Sequence, residues 1–141
     1  MDSNNKRLSE CVKYLNANAV NPGNKKIILD DHFDIVFDTV GLEITRQQAI
    51  KSIKPGGIII HIGLTQPSGS FDFRKATLQE ITFIGTYCYT NKDFKKILSL
   101  LANKRIGSLD WIEYRELKDG SSAFKQIHDG LCAAPKIVLL V

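Results

Sequence analysis

Three stretches that each carry a glycine at or near the end of an apolar run are the parts of this sequence whose residue types could do chemistry. They are Asp38-Thr39-Val40-Gly41, Ile62-Gly63-Leu64 and Gly85-Thr86-Tyr87-Cys88. In an open parallel sheet, ligands bind beyond the carboxyl ends of the strands. A glycine there lets the backbone approach a flat ring or a ribose closely, whereas the alternative is that it only forms a turn. Three such glycines in succession favour a ligand crevice.

The runs before these stretches are predicted strands. Phe33 to Asp38 is flanked by turn residues, and Ile58 to Ile62 has no polar alternation, which is typical of a parallel strand covered on both faces. Glu80 to Tyr89 gives a third strand. A helix predicted from Glu43 to Ile53 ends at Lys54-Pro55-Gly56-Gly57, because proline cannot continue a helix and glycine supplies the turn. Strand, helix and strand with short joints predict a βαβ unit.

The remaining segments continue the alternation of helices and strands. Helices are predicted from the helical spacing of apolar residues and from Thr90-x-x-Asp93, which resembles a capping box. Strands are predicted from runs rich in β-branched and aromatic residues. The predicted segments are a helix at Leu8–Leu15, a weaker strand at Lys25–Asp30, a helix after Thr90 bearing Phe94, Ile97, Leu98 and Leu101, a strand at Trp111–Leu117, a helix bearing Ala123, Phe124, Ile127 and Leu131, and a strand at Lys136–Val141.

Composition bounds the class of protein. The 141 residues are 43% apolar, which suits a soluble globular chain about one domain long. No apolar run approaches the roughly 18 residues that span a bilayer, and the first residues lack a signal-peptide layout, so we expect a cytoplasmic protein without a membrane partner. The net charge is +4, but the basic residues are interleaved with acids, which argues against a nucleic-acid partner. The three cysteines are far apart and predict neither disulfides nor a zinc site.

The segments FDIVFDTVG, KPGGIIIHIGL, QEITFIGTYCYTNKDFKKILSLLANKRI, WIEYRELKDGSSAFKQIHDG and PKIVLLV together resemble the C-terminal part of a zinc-type medium-chain alcohol and polyol dehydrogenase. The resemblance covers almost the whole chain, although KPGG before an apolar strand also occurs in methyltransferases. It implies an α/β fold, namely a partial Rossmann-like, doubly wound parallel sheet that lacks its first strands. Residues 1–108 would form this partial dinucleotide-binding domain, and residues 109–141 a returning C-terminal segment of the catalytic domain.

The same resemblance implies an NAD site. Asp2 would accept hydrogen bonds from the adenosine ribose, which favours NAD over NADP, and Arg7 would lie beside that ribose. Lys136 would lie near the pyrophosphate. The residues that would line the nicotinamide end are Thr39, Val40, Ile62, Gly63, Leu64, Thr86, Tyr87 and Cys88. Without the resemblance, Asp2 would be a frayed terminal residue, and Arg7 and Lys136 solvated surface charges.

Two parts of the family pattern are absent from the sequence. There is no G-x-G-x-x-G and no Cys, His and Glu set for the catalytic zinc that the full-length family carries, and His32, His61 and His128 match no such position. We therefore expect the cofactor-binding portion of an NAD(P)-dependent oxidoreductase, inactive alone. The alternatives are a methyltransferase-like fragment, which would also need a glycine-rich first turn, and a non-catalytic interaction module with a Rossmann-like sheet.

Assembly follows from the strand order that the resemblance implies. If the first strand of the sheet is missing, Phe33 to Asp38 presents an apolar edge with unpaired backbone groups. We expect that edge to be covered in a homodimer or higher oligomer, or by a missing N-terminal portion.

Overall fold

The computed structural model describes residues 1–15, 17–23, 29–107 and 109–141. Contacts divide the chain into two compact units, one formed by Met1–Ile27 with Asn91–Val141 and the other by Ile28–Thr90. The division at residues 108 and 109 stays a prediction. No helix within these described ranges is long and apolar enough to cross a membrane.

Helices and strands alternate along the described chain. In order they are α1 (Asn5–Tyr14), β1 (Phe33–Asp38), α2 (Glu43–Ser52), β2 (Ile53–His61), α3 (Phe73–Leu78), β3 (Thr82–Gly85), α4 (Asn91–Ala102), β4 (Ile112–Glu116), a 3₁₀ turn (Leu117–Asp119), α5 (Gly120–His128) and β5 (Lys136–Leu140).

The unit Ile28–Thr90 contains a parallel sheet with the strand order β1-β2-β3. Asp38 at the end of β1 lies beside His61 at the end of β2, and His61 lies beside Gly85 at the end of β3. The predicted βαβ unit is therefore confirmed, and the carboxyl ends of all three strands reach one edge of the sheet.

The core of this unit lies on one face of the sheet. Ala49 and Ile50 of α2 pack with Ile53 and Ile59 of β2, and Ile59 is 1% exposed. The prediction that Ile58 to Ile62 is covered on both faces is wrong. Side chains alternate between faces along a strand, and Ile58 and Ile60, which flank Ile59, are only partly buried.

β1 is also more exposed than a central parallel strand would be. Ile35 and Phe37 are 50% and 61% exposed, and only Asp38 among its residues is buried. Within the described part of the chain, β1 pairs with β2 alone and so forms an edge of its sheet. The physical reason is that the apolar composition of this run says nothing about whether another element covers it.

The segment Lys54–Gly57 does not separate a helix from a new strand, as the sequence predicted. β2 already begins at Ile53, which pairs with Phe33, and the next pair joins Ile58 to Ile35. The intervening residues thus form a bulge inside the strand. Gly56 has a φ of 72°, and its N–H donates to the Gln79 carbonyl at 2.7 Å. Glycine permits this left-handed backbone. The proline and glycines that were predicted to end the helix therefore form a bulge in β2.

Other element bounds also differ from the predicted ones. β3 is shorter than Glu80–Tyr89 because Glu80 and Cys88 have φ values of 52° and 54°, outside the extended region. The helix α3 was not predicted, although Asp72 caps it by accepting a hydrogen bond from the Lys75 N–H. The predicted strand Lys25–Asp30 lies largely outside the described residues.

The other unit contains a separate parallel pair, in which Ile112 of β4 lies beside Lys136 of β5. α1 begins at Asn5, earlier than predicted, because the Asn4 side chain caps it. The predicted helix after Thr90 is confirmed as α4. Leu131 does not belong to α5, as predicted, because that helix ends at His128 and Gly130 follows with a φ of 66°.

Candidate functional site

The loops that follow β1 and β2 are joined to each other by backbone hydrogen bonds. The Asp38 carbonyl accepts from the N–H groups of Ile62 at 2.9 Å and Gly63 at 3.1 Å. The Val40 carbonyl accepts from the N–H of Thr65 at 3.3 Å and from its hydroxyl at 2.7 Å. The structure therefore brings two of the three glycine-containing stretches together.

Close approach of the two loops explains two of the three glycines. A Cβ added to Gly41 would lie 2.0 Å from the Gly63 carbonyl oxygen, and one added to Gly63 would lie 2.1 Å from the Val40 carbonyl carbon. Gly41 also has a φ of 74°. The missing side chains at these positions serve contact between the loops, whereas the sequence suggested contact with a ligand. A Cβ at Gly85 would meet nothing within 4 Å.

The third stretch is attached to the same edge of the sheet. The Thr86 N–H donates to the His61 carbonyl at 3.0 Å. Apolar side chains of all three stretches are solvent-exposed at this edge, with Val40 at 42%, Ile62 at 40%, Leu64 at 71% and Tyr87 at 79%. A cluster of exposed apolar side chains indicates a binding surface more often than single exposed apolar side chains do.

Side chains of α2 fasten the loop after β2. The Arg46 guanidinium donates to the Gly41 carbonyl at 3.0 Å, to the Gln66 carbonyl at 3.3 Å and also to the Ser68 carbonyl. The Glu43 N–H donates to the Gln66 side chain at 2.9 Å. These bonds fix the loop after β2 against the first turns of the helix that follows β1.

Glu43 takes part in the same anchoring through its side chain. The Ser70 hydroxyl donates to the Glu43 carboxylate, and this hydrogen bond lowers the pKa of that carboxyl group. Gln47 donates to both Glu43 and Ser70, which adds a further link between the helix and the end of the loop.

Asp38 and His61 form a buried pair that the sequence analysis did not assign to the site. The Asp38 side chain is 2% exposed and that of His61 17% exposed, and Asp38 Oδ2 lies 3.6 Å from His61 Nε2. Asp38 Oδ1 accepts from the N–H groups of Val40 at 3.1 Å and Gly41 at 2.9 Å. An aspartate that ends a strand before a turn is the sequence signal for such backbone bonding, and a histidine within an apolar run was the second signal.

The remaining predicted site residues, Asp2, Arg7 and Lys136, belong to the unit that contains α1 and β5. Asp2 Oδ1 accepts from the Asn4 N–H at 2.7 Å, and Asp2 Oδ2 lies 3.9 Å from Arg7 Nη1. The Asp2 N–H also donates to the Val20 carbonyl at 3.2 Å. Asp2 is thus held in place and is not a frayed residue. Lys136 is the exposed first residue of β5.

The residues present do not fit the zinc ion that the resemblance implies for the full-length family. Across the described ranges, no group of three or more His, Cys, Asp or Glu side chains is arranged to hold a metal ion. Cys11, Cys88 and Cys132 are free thiols.

Comparison with known proteins gives a consistent result. The family model described as "Zinc-binding dehydrogenase" matches residues 1–103. A probable D-xylulose reductase A of Neosartorya fischeri is 31% identical over 98 residues, which are 69% of this chain and 27% of that protein. The D-xylulose reductase of Saccharomyces cerevisiae is 28% identical over 103 residues, which are 72% of this chain and 29% of that protein. The chain thus spans less than a third of the length of these relatives.

Solved structures share the fold at lower identity. An alcohol dehydrogenase from Thermus sp. ATN1 matches with a TM-score of 0.86 and 21% identity, over 99% of this chain and 42% of that chain. The acetophenone reductase of Geotrichum candidum, solved in complex with NAD, matches with a TM-score of 0.80 and 20% identity, over 96% of this chain and 39% of that chain. The predicted partial Rossmann-like α/β fold is confirmed.

The family match also separates the interpretations that the sequence left open. It covers α1 to α4 and includes all three stretches at the carboxyl edge of the sheet, and it favours the dehydrogenase interpretation over a methyltransferase-like fragment. Together with the curated relatives, it confirms the resemblance to zinc-type alcohol and polyol dehydrogenases. This chain belongs to the zinc-binding dehydrogenase family.

Proposed function

We propose that this chain is the cofactor-binding portion of an NAD(P)-dependent alcohol or polyol dehydrogenase and that its sheet unit holds the nicotinamide end of the cofactor. The observation that carries the proposal is the interlocked pair of loops at the carboxyl ends of β1 and β2, with exposed apolar side chains beside them. The flat face of a nicotinamide ring gains free energy by covering such a surface.

Each stretch has its own part in the proposed nicotinamide site. Val40, Ile62 and Leu64 supply apolar contact, and Gly85 leaves room for the ring because its position faces open space. Further contacts with the ring and its ribose are proposed for the exposed residues Thr39, Thr86, Tyr87 and Cys88. Gly63 is buried, so its proposed contribution is through the backbone.

For the adenosine end of the cofactor, the proposal concerns Asp2 and Lys136, as the resemblance implies. Asp2 is proposed to accept hydrogen bonds from the ribose hydroxyls, and its anchoring by Asn4 and Arg7 supports this role because the carboxylate is already oriented. A 2′-phosphate would be repelled by this carboxylate, so NAD is preferred over NADP. Lys136 is proposed to attract the pyrophosphate.

Bound NAD would accept the hydride, and the described residues would bind and orient its nicotinamide ring. No step is assigned to zinc, since the described side chains do not fit that ion. The complete reaction therefore needs residues beyond those of this chain, such as a G-x-G-x-x-G turn for the pyrophosphate, which the sequence lacks. We propose that the chain alone does not oxidise alcohols or polyols.

The proposed partner is either a second copy of the chain or the remaining portion of a longer dehydrogenase, because β1 pairs on one side only within the described residues. The absence of nucleic-acid and membrane partners and the cytoplasmic location stay predictions, as does the alternative of a non-catalytic interaction module.

Cofactor preference tests the proposal. We expect saturation-transfer NMR to show binding of NAD that is weak, since each missing hydrogen bond to the charged pyrophosphate removes about 1.5–3 kcal/mol, or roughly one to two decades of affinity. NADP should bind more weakly still. The Asp2→Ala variant should lose the difference between the two cofactors.

The matched control is Asp110→Ala, which removes an exposed acid of the same unit. This variant should keep the preference for NAD. Micromolar binding of NADP that is unaffected by Asp2→Ala would contradict the proposed adenosine site.

A further inference from the structure

Asp38 connects both loops of the proposed nicotinamide site. Its carboxylate oxygen Oδ1 accepts from the N–H groups of Val40 and Gly41, at 3.1 and 2.9 Å. Its backbone carbonyl accepts from the N–H groups of Ile62 and Gly63, at 2.9 and 3.1 Å. One residue thus fixes the backbone on both sides of the point at which the loops meet.

The second carboxylate oxygen of Asp38 faces the His61 ring. Oδ2 and His61 Nε2 are both buried, neither has a hydrogen-bond partner in the described part of the chain, and they face each other at 3.6 Å. Buried polar atoms rarely lack a partner, because each one loses its hydration without compensation. A proton on His61 Nε2 would satisfy both atoms after a small approach of the two side chains.

The surroundings of the Asp38–His61 pair offer little to replace a hydrogen bond between the two side chains. The pair lies in lateral register between β1 and β2, and the His61 ring centroid is 5.6 Å from that of Phe83 on β3. An apolar neighbour cannot solvate a carboxylate, so the Asp38 charge depends on the histidine and on the two backbone N–H groups.

We infer that Asp38 and His61 are a positioning pair for the proposed nicotinamide site. His61 donates from Nε2 to Asp38 Oδ2 and thereby holds the carboxylate so that Oδ1 keeps the Val40–Gly41 turn in place. Neither side chain needs to touch the cofactor. The effect on cofactor binding rests on the proposed function, whereas the hydrogen bond and its hold on the turn do not.

The first test uses NMR of the 141-residue chain without cofactor. We expect the ring-nitrogen spectrum of His61 to show a proton on Nε2, and the Asp38→Asn variant to remove it, because the Asn amide would donate to Nε2 instead. The control His128→Gln should leave the His61 signals unchanged. An unprotonated Nε2 in the parent chain, or an unchanged signal in Asp38→Asn, would overturn the inference.

Amide hydrogen exchange tests the hold on the turn. His61→Val removes the donor, and we expect it to lower the protection of the Val40 and Gly41 amides by about tenfold, the effect of one weakened hydrogen bond to a charged group. His61→Gln can donate from its side-chain amide and should restore most of that protection. Equal protection in the parent, Val and Gln chains would overturn the inference, and if His61→Val does not fold, the Gln variant and the ring-nitrogen signature still decide it.

A third measurement separates this inference from the proposed function. His61→Val should weaken NAD binding by about tenfold and leave binding of ADP-ribose, which has no nicotinamide, unchanged. If the parent chain shows no NAD binding, the proposed function fails, while the ring-nitrogen and exchange results decide the positioning pair independently. An equal loss for both ligands would overturn the assignment of the pair to the nicotinamide end.

Discussion

Single residues decide how closely the loops after β1 and β2 can approach each other. The sequence predicted that Gly41 and Gly63 matter, since both follow apolar runs, but it could not show why. The reason is a contact between segments that are distant in the chain, with a Cβ at Gly41 only 2.0 Å from the Gly63 carbonyl oxygen. The Asp38–His61 pair escaped prediction for the same reason, because its two members meet only when β1 and β2 come into register.

Alanine substitution of these glycines tests the close approach. We expect Gly63→Ala to destabilise the chain by about 1–3 kcal/mol, because overpacked backbone must shift. Gly41→Ala should destabilise the chain by about 1 kcal/mol more than Gly63→Ala, because Gly41 also has a positive φ. Chemical unfolding of the variants measures both values.

Gly85→Ala is the control, because its new methyl group would meet nothing within 4 Å. We expect it to stay within about 0.5 kcal/mol of the parent chain. A Gly63→Ala chain as stable as the parent would show that the loops do not meet as described.

Among the elements, those with long periodic patterns were predictable and those held by tertiary contacts were not. β1, α2 and β2 followed from apolar runs and turn residues. The bulge at Lys54–Gly57 was mistaken for a break, because proline and glycine end a helix and also permit a bulge. The six-residue α3 has one sequence signal, the cap at Asp72, and too few residues to show a helical period.

The link between α2 and the loop after β2 can be tested at Arg46. Arg46→Met removes donors to the carbonyls of Gly41, Gln66 and Ser68 and should cost about 1–3 kcal/mol of stability. Arg46→Lys should recover only part of this, since an ammonium group cannot reproduce the planar fork of donors. Thermal unfolding and amide exchange at the Gln66 N–H, which donates to the Gly41 carbonyl at 3.0 Å, provide the measurements.

Arg74→Met serves as the control for charge and side-chain size, since Arg74 is an exposed residue of α3. It should leave both stability and Gln66 exchange near the values of the parent chain. An Arg46→Met chain indistinguishable from Arg74→Met would show that the guanidinium does not anchor the loop.

For the molecule as a whole, the order of segments predicted the fold and the family, but not which surfaces are covered. The alternating residues Phe33, Ile35 and Phe37 lie on one face of β1 and are 44%, 50% and 61% exposed. Cover on both faces was expected for Ile58 to Ile62 from its apolar composition, yet the burial of a strand depends on what packs against it. The matched part of the chain spans 27% of one reductase and 29% of another.

The exposed face and open edge of β1 predict self-association of the 141-residue chain. Such surfaces pair with a second copy because this removes apolar area from water and satisfies free backbone groups. Light scattering coupled to size exclusion at about micromolar concentration should therefore show a dimer or higher oligomer. Ile35→Lys should shift the distribution towards monomer, since a charged side chain would have to be buried in the contact. Leu78→Lys, which changes a residue 68% exposed on α3, is the matched control and should leave the assembly unchanged. The prediction would be contradicted by a monodisperse monomer in the parent chain together with an Ile35→Lys chain that is no more soluble. That result would mean that β1 is already covered and that the expectation of missing strands beside its open edge is wrong.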